Sequence, residues 1–139
     1  MNQTVSQVAV VDELGHWSRV LRRRLARVVD VKTHNDLTSA MGDRPTIYVL
    51  VVNRNQVTAA IEQTLELCSR RNPPYVLAIV PPHHHLGFQM RCAGATAVWQ
   101  HDRWPVNQIS RLIRRICRQA PAPTLSLEER IWKNLPWSR

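Results

Sequence analysis

Thr46-Ile47-Tyr48-Val49-Leu50-Val51-Val52 most narrows what this chain can become. β-branched and aromatic residues dominate it, and apolar side chains fall on both parities, so a strand here has no face left for water. Such a strand belongs in the middle of a sheet covered on both sides, which means a parallel sheet flanked by helices. Val8-Ala9-Val10-Val11, Tyr75 to Val80 and Thr96-Ala97-Val98-Trp99 are shorter runs of the same kind, and Val29 to Thr33 is a weaker, alternating one. Between them, apolar residues recur three or four apart: Leu14, Trp17, Leu21, Leu25 and Val28, then Val57, Ala60, Ile61, Thr64, Leu65 and Cys68, and finally Val106, Ile109, Ile113, Ile116 and Cys117. These are helix stripes. Shorter helices are expected within 35–45, with room for two turns, and within 83–93. Five strands alternating with helices predict a three-layer α/β/α sandwich around a five-stranded parallel sheet with right-handed crossovers.

The 139 residues suffice for one such domain and not for two. Ala120-Pro121-Ala122-Pro123 is a stiff spacer, dividing an α/β domain over 1–120 from a linker and short amphipathic tail over 121–139. In the tail, Ser126-Leu127-Glu128-Glu129 fits a capping box, and Leu127, Ile131 and Leu135 follow at intervals of four until Pro136. A helix this short is marginal in water, so Ile131, Trp132, Leu135 and Trp137 are expected to dock on their own domain, a second copy or a partner's groove.

Nineteen Lys+Arg face ten Asp+Glu, a net charge of +9, and seventeen of the cations are arginine. Arg22 and Arg23 on the first helix and Arg114 and Arg118 on the last lie off the apolar stripes, as candidate phosphate contacts. No apolar run is long enough for a spanning helix, so no membrane association is expected. Met1-Asn2-Gln3-Thr4 has neither the basic segment nor the apolar core of a signal peptide, and Cys68, Cys92 and Cys117 are too few and too scattered for a disulfide scaffold, so a cytoplasmic protein with reduced thiols is expected. His83-His84-His85 lacks the i, i+4 spacing of a chelating pair, and no Cys-x-x-Cys completes a metal set. With no Gly-x-Ser-x-Gly, no P-loop and a single glycine after the first strand, no enzyme, metal or cofactor is expected.

Three features point further: Asp12-Glu13 after the first strand, five strand–helix units, and Ala93-Gly94-Ala95 before the fifth strand. Together, over residues 5–119, they resemble the receiver domain of two-component response regulators, a flavodoxin-like fold. The resemblance implies that the acidic pair helps hold magnesium and that an aspartate ending the third strand accepts a phosphoryl group. It also implies that a hydroxyl ending the fourth strand and a lysine ending the fifth read that phosphate. Only the acidic pair is present. The acceptor position falls on Asn53, the hydroxyl position on Val80 and the lysine position on His101. A carboxamide is a poor nucleophile and forms no acyl phosphate, so the expectation is a degenerate receiver that cannot run a phosphorylation cycle. Asp12 and Glu13 still offer hard oxygen donors for weak divalent-cation binding, or they are an inherited pair neutralised by His101 or an arginine.

The function expected is therefore a non-catalytic, receiver-like signalling or adaptor domain acting through a protein partner or self-association. The resemblance makes the fourth and fifth helices and fifth strand the usual output surface, which here carries Trp99, Trp104, Arg111 and Arg115. The alternative is a sequence-nonspecific nucleic-acid-associated regulator using the arginine faces. A third reading is a small-ligand sensor in the strand-end crevice at Asp12, Glu13, Asn53 and His101.

Overall fold

The computed structural model describes residues 7–42, 44–82 and 85–119. Strands and helices alternate: β1 (Gln7–Val11), α1 (His16–Leu25), β2 (Asp30–His34), α2 (Leu37–Met41), β3 (Ile47–Val51), α3 (Val57–Cys68), β4 (Tyr75–Val80), α4 (Leu86–Cys92), β5 (Ala97–Gln100) and α5 (Val106–Gln119). Turns of 3-10 helix at Arg54–Gln56 and His101–Arg103 lead into α3 and α5. The sheet is wholly parallel with the order β2-β1-β3-β4-β5, so the expected three-layer sandwich is the observed one. The tail expected over 121–139 lies outside the described residues.

The double-sided run of β3 divides its side chains between two cores. Ile47 and Val49 join Val8, Val10, Leu77 and Ile79 beneath α1 and α5, packing on Trp17, Leu21, Leu25, Ile109, Ile113 and Ile116. Tyr48 and Leu50 join Ala9, Val76, Ala78 and Val80 on the other face, under Leu37, Ala40, Leu67, Leu86 and Met90 of α2, α3 and α4. Register pairs such as Val10↔Val49 and Val49↔Leu77 keep like-facing residues side by side.

Helix phase corrects three expected core positions. Because α1 starts at His16, Leu14 falls in the preceding turn and is 73 % exposed, while Val29, not Val28, enters the core. In α3, burial of Thr64 and Leu67 turns Leu65 outward. The second helix is curtailed to five residues, opened by Asp36, whose carboxylate accepts the Ser39 N–H at 2.8 Å.

Gly94 fixes the turn between α4 and β5. Its φ is +114°, and a Cβ there would lie 2.4 Å from Cβ of Cys68 at the end of α3. The Cys68 thiol donates to the Gly94 carbonyl at 3.3 Å, and burial pushes its pKa up. Gly94→Ala is therefore expected to lower unfolding stability by roughly 2–4 kcal/mol in urea denaturation, combining backbone strain with overpacking. Gly42→Ala, at φ −62° with ordinary contacts, should shift it by less than about 1 kcal/mol.

Candidate functional site

A parallel sheet brings the carboxyl ends of all its strands to one edge, the usual place for a ligand crevice in open α/β folds. Asp12, Glu13, Asn53, Val80 and His101 all lie along that edge, at or just beyond the ends of β1, β3, β4 and β5. Their chemistry differs sharply.

Asp12 is 4 % exposed and engaged with backbone. Its carboxylate accepts N–H groups from Trp17 at 2.7 Å and Leu14 at 3.2 Å, and its carbonyl accepts the Gly15 N–H at 3.2 Å. The first turn of α1 has no side-chain cap at Gly15, and Asp12 meets that need from three residues upstream, its negative charge set at the helix's positive end. Glu13 is exposed, and its Oε2 accepts from the Asn53 amide at 2.9 Å. The same amide reaches Gln56 Oε1 at 3.4 Å. The partner of Glu13 is thus Asn53, not His101 or an arginine. A carboxamide donates to a carboxylate directly, whereas a second carboxylate in its place would need a cation or proton between them.

Val80 is 2 % exposed, an apolar end to β4 with no hydroxyl to offer. His101 is exposed at the start of its 3-10 turn and makes no hydrogen bond to Asp12, Glu13 or Asn53. Of the five positions, the structure joins Glu13 to Asn53, ties Asp12 to backbone, and leaves Val80 and His101 outside that network. Among the described residues no group of three His, Cys, Asp or Glu side chains converges as a metal site; His83 and His84 are outside those residues.

Trp99 is half-buried against the core under α1 and α5. Trp104 is 56 % exposed, held at φ +47° with its ring over Trp17, centroids 4.6 Å apart. Arg111 and Arg115 are exposed on α5. Phe88 on α4 is 70 % exposed, an outward aromatic ring absent from the candidates named above. Leu86 and Met90, four apart and fully buried, set the helix phase that turns it outward. Ile131, Trp132, Leu135 and Trp137 are outside the described residues.

The arginines of α1 and α5 form neighbouring surfaces. Arg22 donates to Thr33 Oγ1 at 3.2 Å, Arg24 donates to Asn107 Oδ1, and Arg114 donates to the Arg24 carbonyl at 3.0 Å. Arg23 and Arg118 are exposed on the same two helices. No helix among the described residues is long and apolar enough to cross a membrane.

The sequence matches no protein-family model and no curated protein. The structure is similar to a CheY-like protein, TadZ, from Pseudomonas aeruginosa PAO1, with TM-score 0.67 and 16 % identity over 80 % of this chain and 98 % of that one. It is similar to HP1043, an orphan response regulator of H. pylori, with TM-score 0.68 and 9 % identity over 81 % of this chain and 97 % of the other. DrrB of Thermotoga maritima, an OmpR/PhoB homolog, gives TM-score 0.69 and 15 % identity over 89 % of this chain and 58 % of its own. At such identities the likeness is one of fold: the chain has the flavodoxin-like fold of response-regulator receiver domains.

Asp12→Ala is expected to cost about 2–3 kcal/mol, because it strands buried N–H groups in the first turn of α1. Asp12→Asn, which keeps one acceptor oxygen, should cost less than Asp12→Ala. Glu13→Ala should stay within about 0.5 kcal/mol, Glu13 being exposed. Urea denaturation of the three variants checks the ranking.

Proposed function

We propose that the chain is a receiver-fold signalling or adaptor domain that works without phosphorylation, through contacts with protein. The observation that carries this reading is the 2.9 Å hydrogen bond from the Asn53 amide to Glu13. It occupies the position where a phosphoryl acceptor is required and replaces a nucleophilic carboxylate with an amide whose nitrogen is already committed. The donor set also fits magnesium poorly. Both Asp12 oxygens accept backbone N–H groups, one Glu13 oxygen holds the amide, and a third carboxylate is missing from the edge. Magnesium sites take carboxylates supplemented by substrate phosphate, and the acceptor chemistry that would bring phosphate here is lacking.

The output surface in this reading is the face built by α4, β5 and α5. Phe88 and Trp104 supply exposed aromatic area, Trp99 lies half-buried in the edge strand, and Arg111 and Arg115 supply charge. Aromatic residues and arginine are the side chains that most often anchor protein interfaces.

Incubated with acetyl phosphate and magnesium, the full chain should gain no phosphoryl group by intact-mass measurement under mild conditions; an acid-labile adduct on Asn53 or Asp12 overturns the reading. Asn53→Asp should be less stable than the parent at neutral pH, since it sets two carboxylates at hydrogen-bond distance. That loss should shrink as the pH falls to about 4, where carboxyls take up protons, and shrink on adding magnesium.

The interaction face is read separately by sedimentation of the full chain. Self-association through this face is expected to weaken about tenfold in Phe88→Glu. Unfolding stability of the same variant should change by under about 0.5 kcal/mol, because the ring is already exposed. A sedimentation profile identical to the parent's removes the face as a self-contact.

A further inference from the structure

Helices α1 and α5 together carry eight arginines and no acidic residue, and they cover the same face of the sheet. Where they meet, a seam of about 270 Å³ is lined by Arg24, Asn107, Ser110, Arg111 and Arg114. Two hydrogen bonds cross the seam: Arg24 bonds the Asn107 side chain, and Arg114 bonds the Arg24 carbonyl. Among the described residues, no carboxylate pairs with any of these three guanidinium groups.

Ser110 is the second observation. It is 3 % exposed, and its hydroxyl is buried without a hydrogen-bond partner. Buried polar groups are almost always bonded, so an orphaned hydroxyl beside three cations marks a place built for something else. The groups on offer are guanidinium and hydroxyl donors together with the Asn107 amide, and the matching ligand is a multi-oxygen anion such as phosphate. Arginine, rather than lysine, suits that geometry through its planar fork of donors.

We propose that this seam seats a backbone phosphate of nucleic acid, with the flanking arginines taking neighbouring phosphates. An isolated phosphate would use the seam alone. The cations instead continue along α5 through Arg115 and Arg118, over a helix about 20 Å long, and along α1, where Arg19, Arg22 and Arg23 line a second, shallow groove. No exposed large apolar side chain lies within α1 or α5. For these two grooves, whose linings hold no large apolar side chain, that disfavours an anionic membrane, which needs apolar side chains to insert, and an acidic protein, whose interface would need an apolar centre. Binding of this kind reads charge and not sequence.

Fluorescence anisotropy of the full chain with two short duplexes of unrelated sequence tests the site. Both should bind alike, and affinity should fall roughly 150- to 500-fold between about 50 and 200 mM salt, as displacement of counterions by four or five arginines requires. Arg111→Gln should weaken binding and lower the salt slope by about one. Ser110→Ala separates site from scaffold: it should weaken duplex binding several-fold while thermal stability stays level or rises, since the residue removed is an unsatisfied hydroxyl. The proposal is overturned by the absence of binding at low salt, or by binding that both variants leave unchanged. Tighter binding to anionic phospholipid vesicles or to polyglutamate than to duplex also overturns it.

Discussion

Everything in this molecule depends on burying β1, β3 and β4 from both sides. Val8, Val10, Ile47, Val49, Leu77 and Ile79 turn to one core while Ala9, Tyr48, Leu50, Val76 and Ala78 turn to the other, all below 5 % exposure. A sheet with two apolar faces needs a helical layer on each, and parallel strands need crossovers long enough to supply them. The order β2-β1-β3-β4-β5 follows from winding those crossovers with one hand about β1 and β3. The same constraint gathers the strand ends at one edge, so Glu13 and Asn53 meet across forty residues of chain as a consequence of packing in the core.

At that edge the local electrostatics are self-contained. Asp12 faces the positive end of α1, and Glu13 faces an amide. A ligand-driven switch requires two states that the ligand contacts differently. Here both acidic side chains already have partners supplied by the chain, so the edge is complete in the state observed. Under the proposed reading the surfaces joined to it are presented constitutively, and regulation enters through what binds those surfaces and not through chemistry at the edge.

How far the sequence could be read followed from how many residues shared each decision. Strand identity rested on long β-branched runs, and the strands appeared within a residue or two of expectation; Tyr75 to Val80 matched its bounds. Helix faces rested on five or six residues spread over three or more turns, and a small change in phase or bounds moved Leu14, Val28 and Leu65 to solvent. Phe88 stayed hidden because the segment around it was too short to show a period. Asp12 was legible as an acid after a strand, but its partners are backbone N–H groups, which carry no sequence signal. The bond between Glu13 and Asn53 spans separate strands, and the orphaned hydroxyl of Ser110 exists only once α1 lies against α5.

The arginines of α1 and α5 and the exposed rings of Phe88 and Trp104 lie on different elements, but the two kinds of contact proposed share Arg111 and Arg115. The α1–α5 seam presents guanidinium groups without exposed large apolar side chains, while Phe88 on α4 and Trp104 before α5 present aromatic area. Helix α5 serves both: Arg114 is tied to Arg24 across the seam, Arg111 lines the seam, and Arg111 and Arg115 are also counted with the protein-facing surface. Long-range attraction to a polyanion is screened within about 8 Å at physiological salt, whereas apolar contact is only weakly affected by ionic strength. A partner held by the arginines and one held by the aromatic rings would therefore respond differently to salt. A single partner held by both would show a salt dependence set by the arginines and a residual affinity set by the aromatic rings.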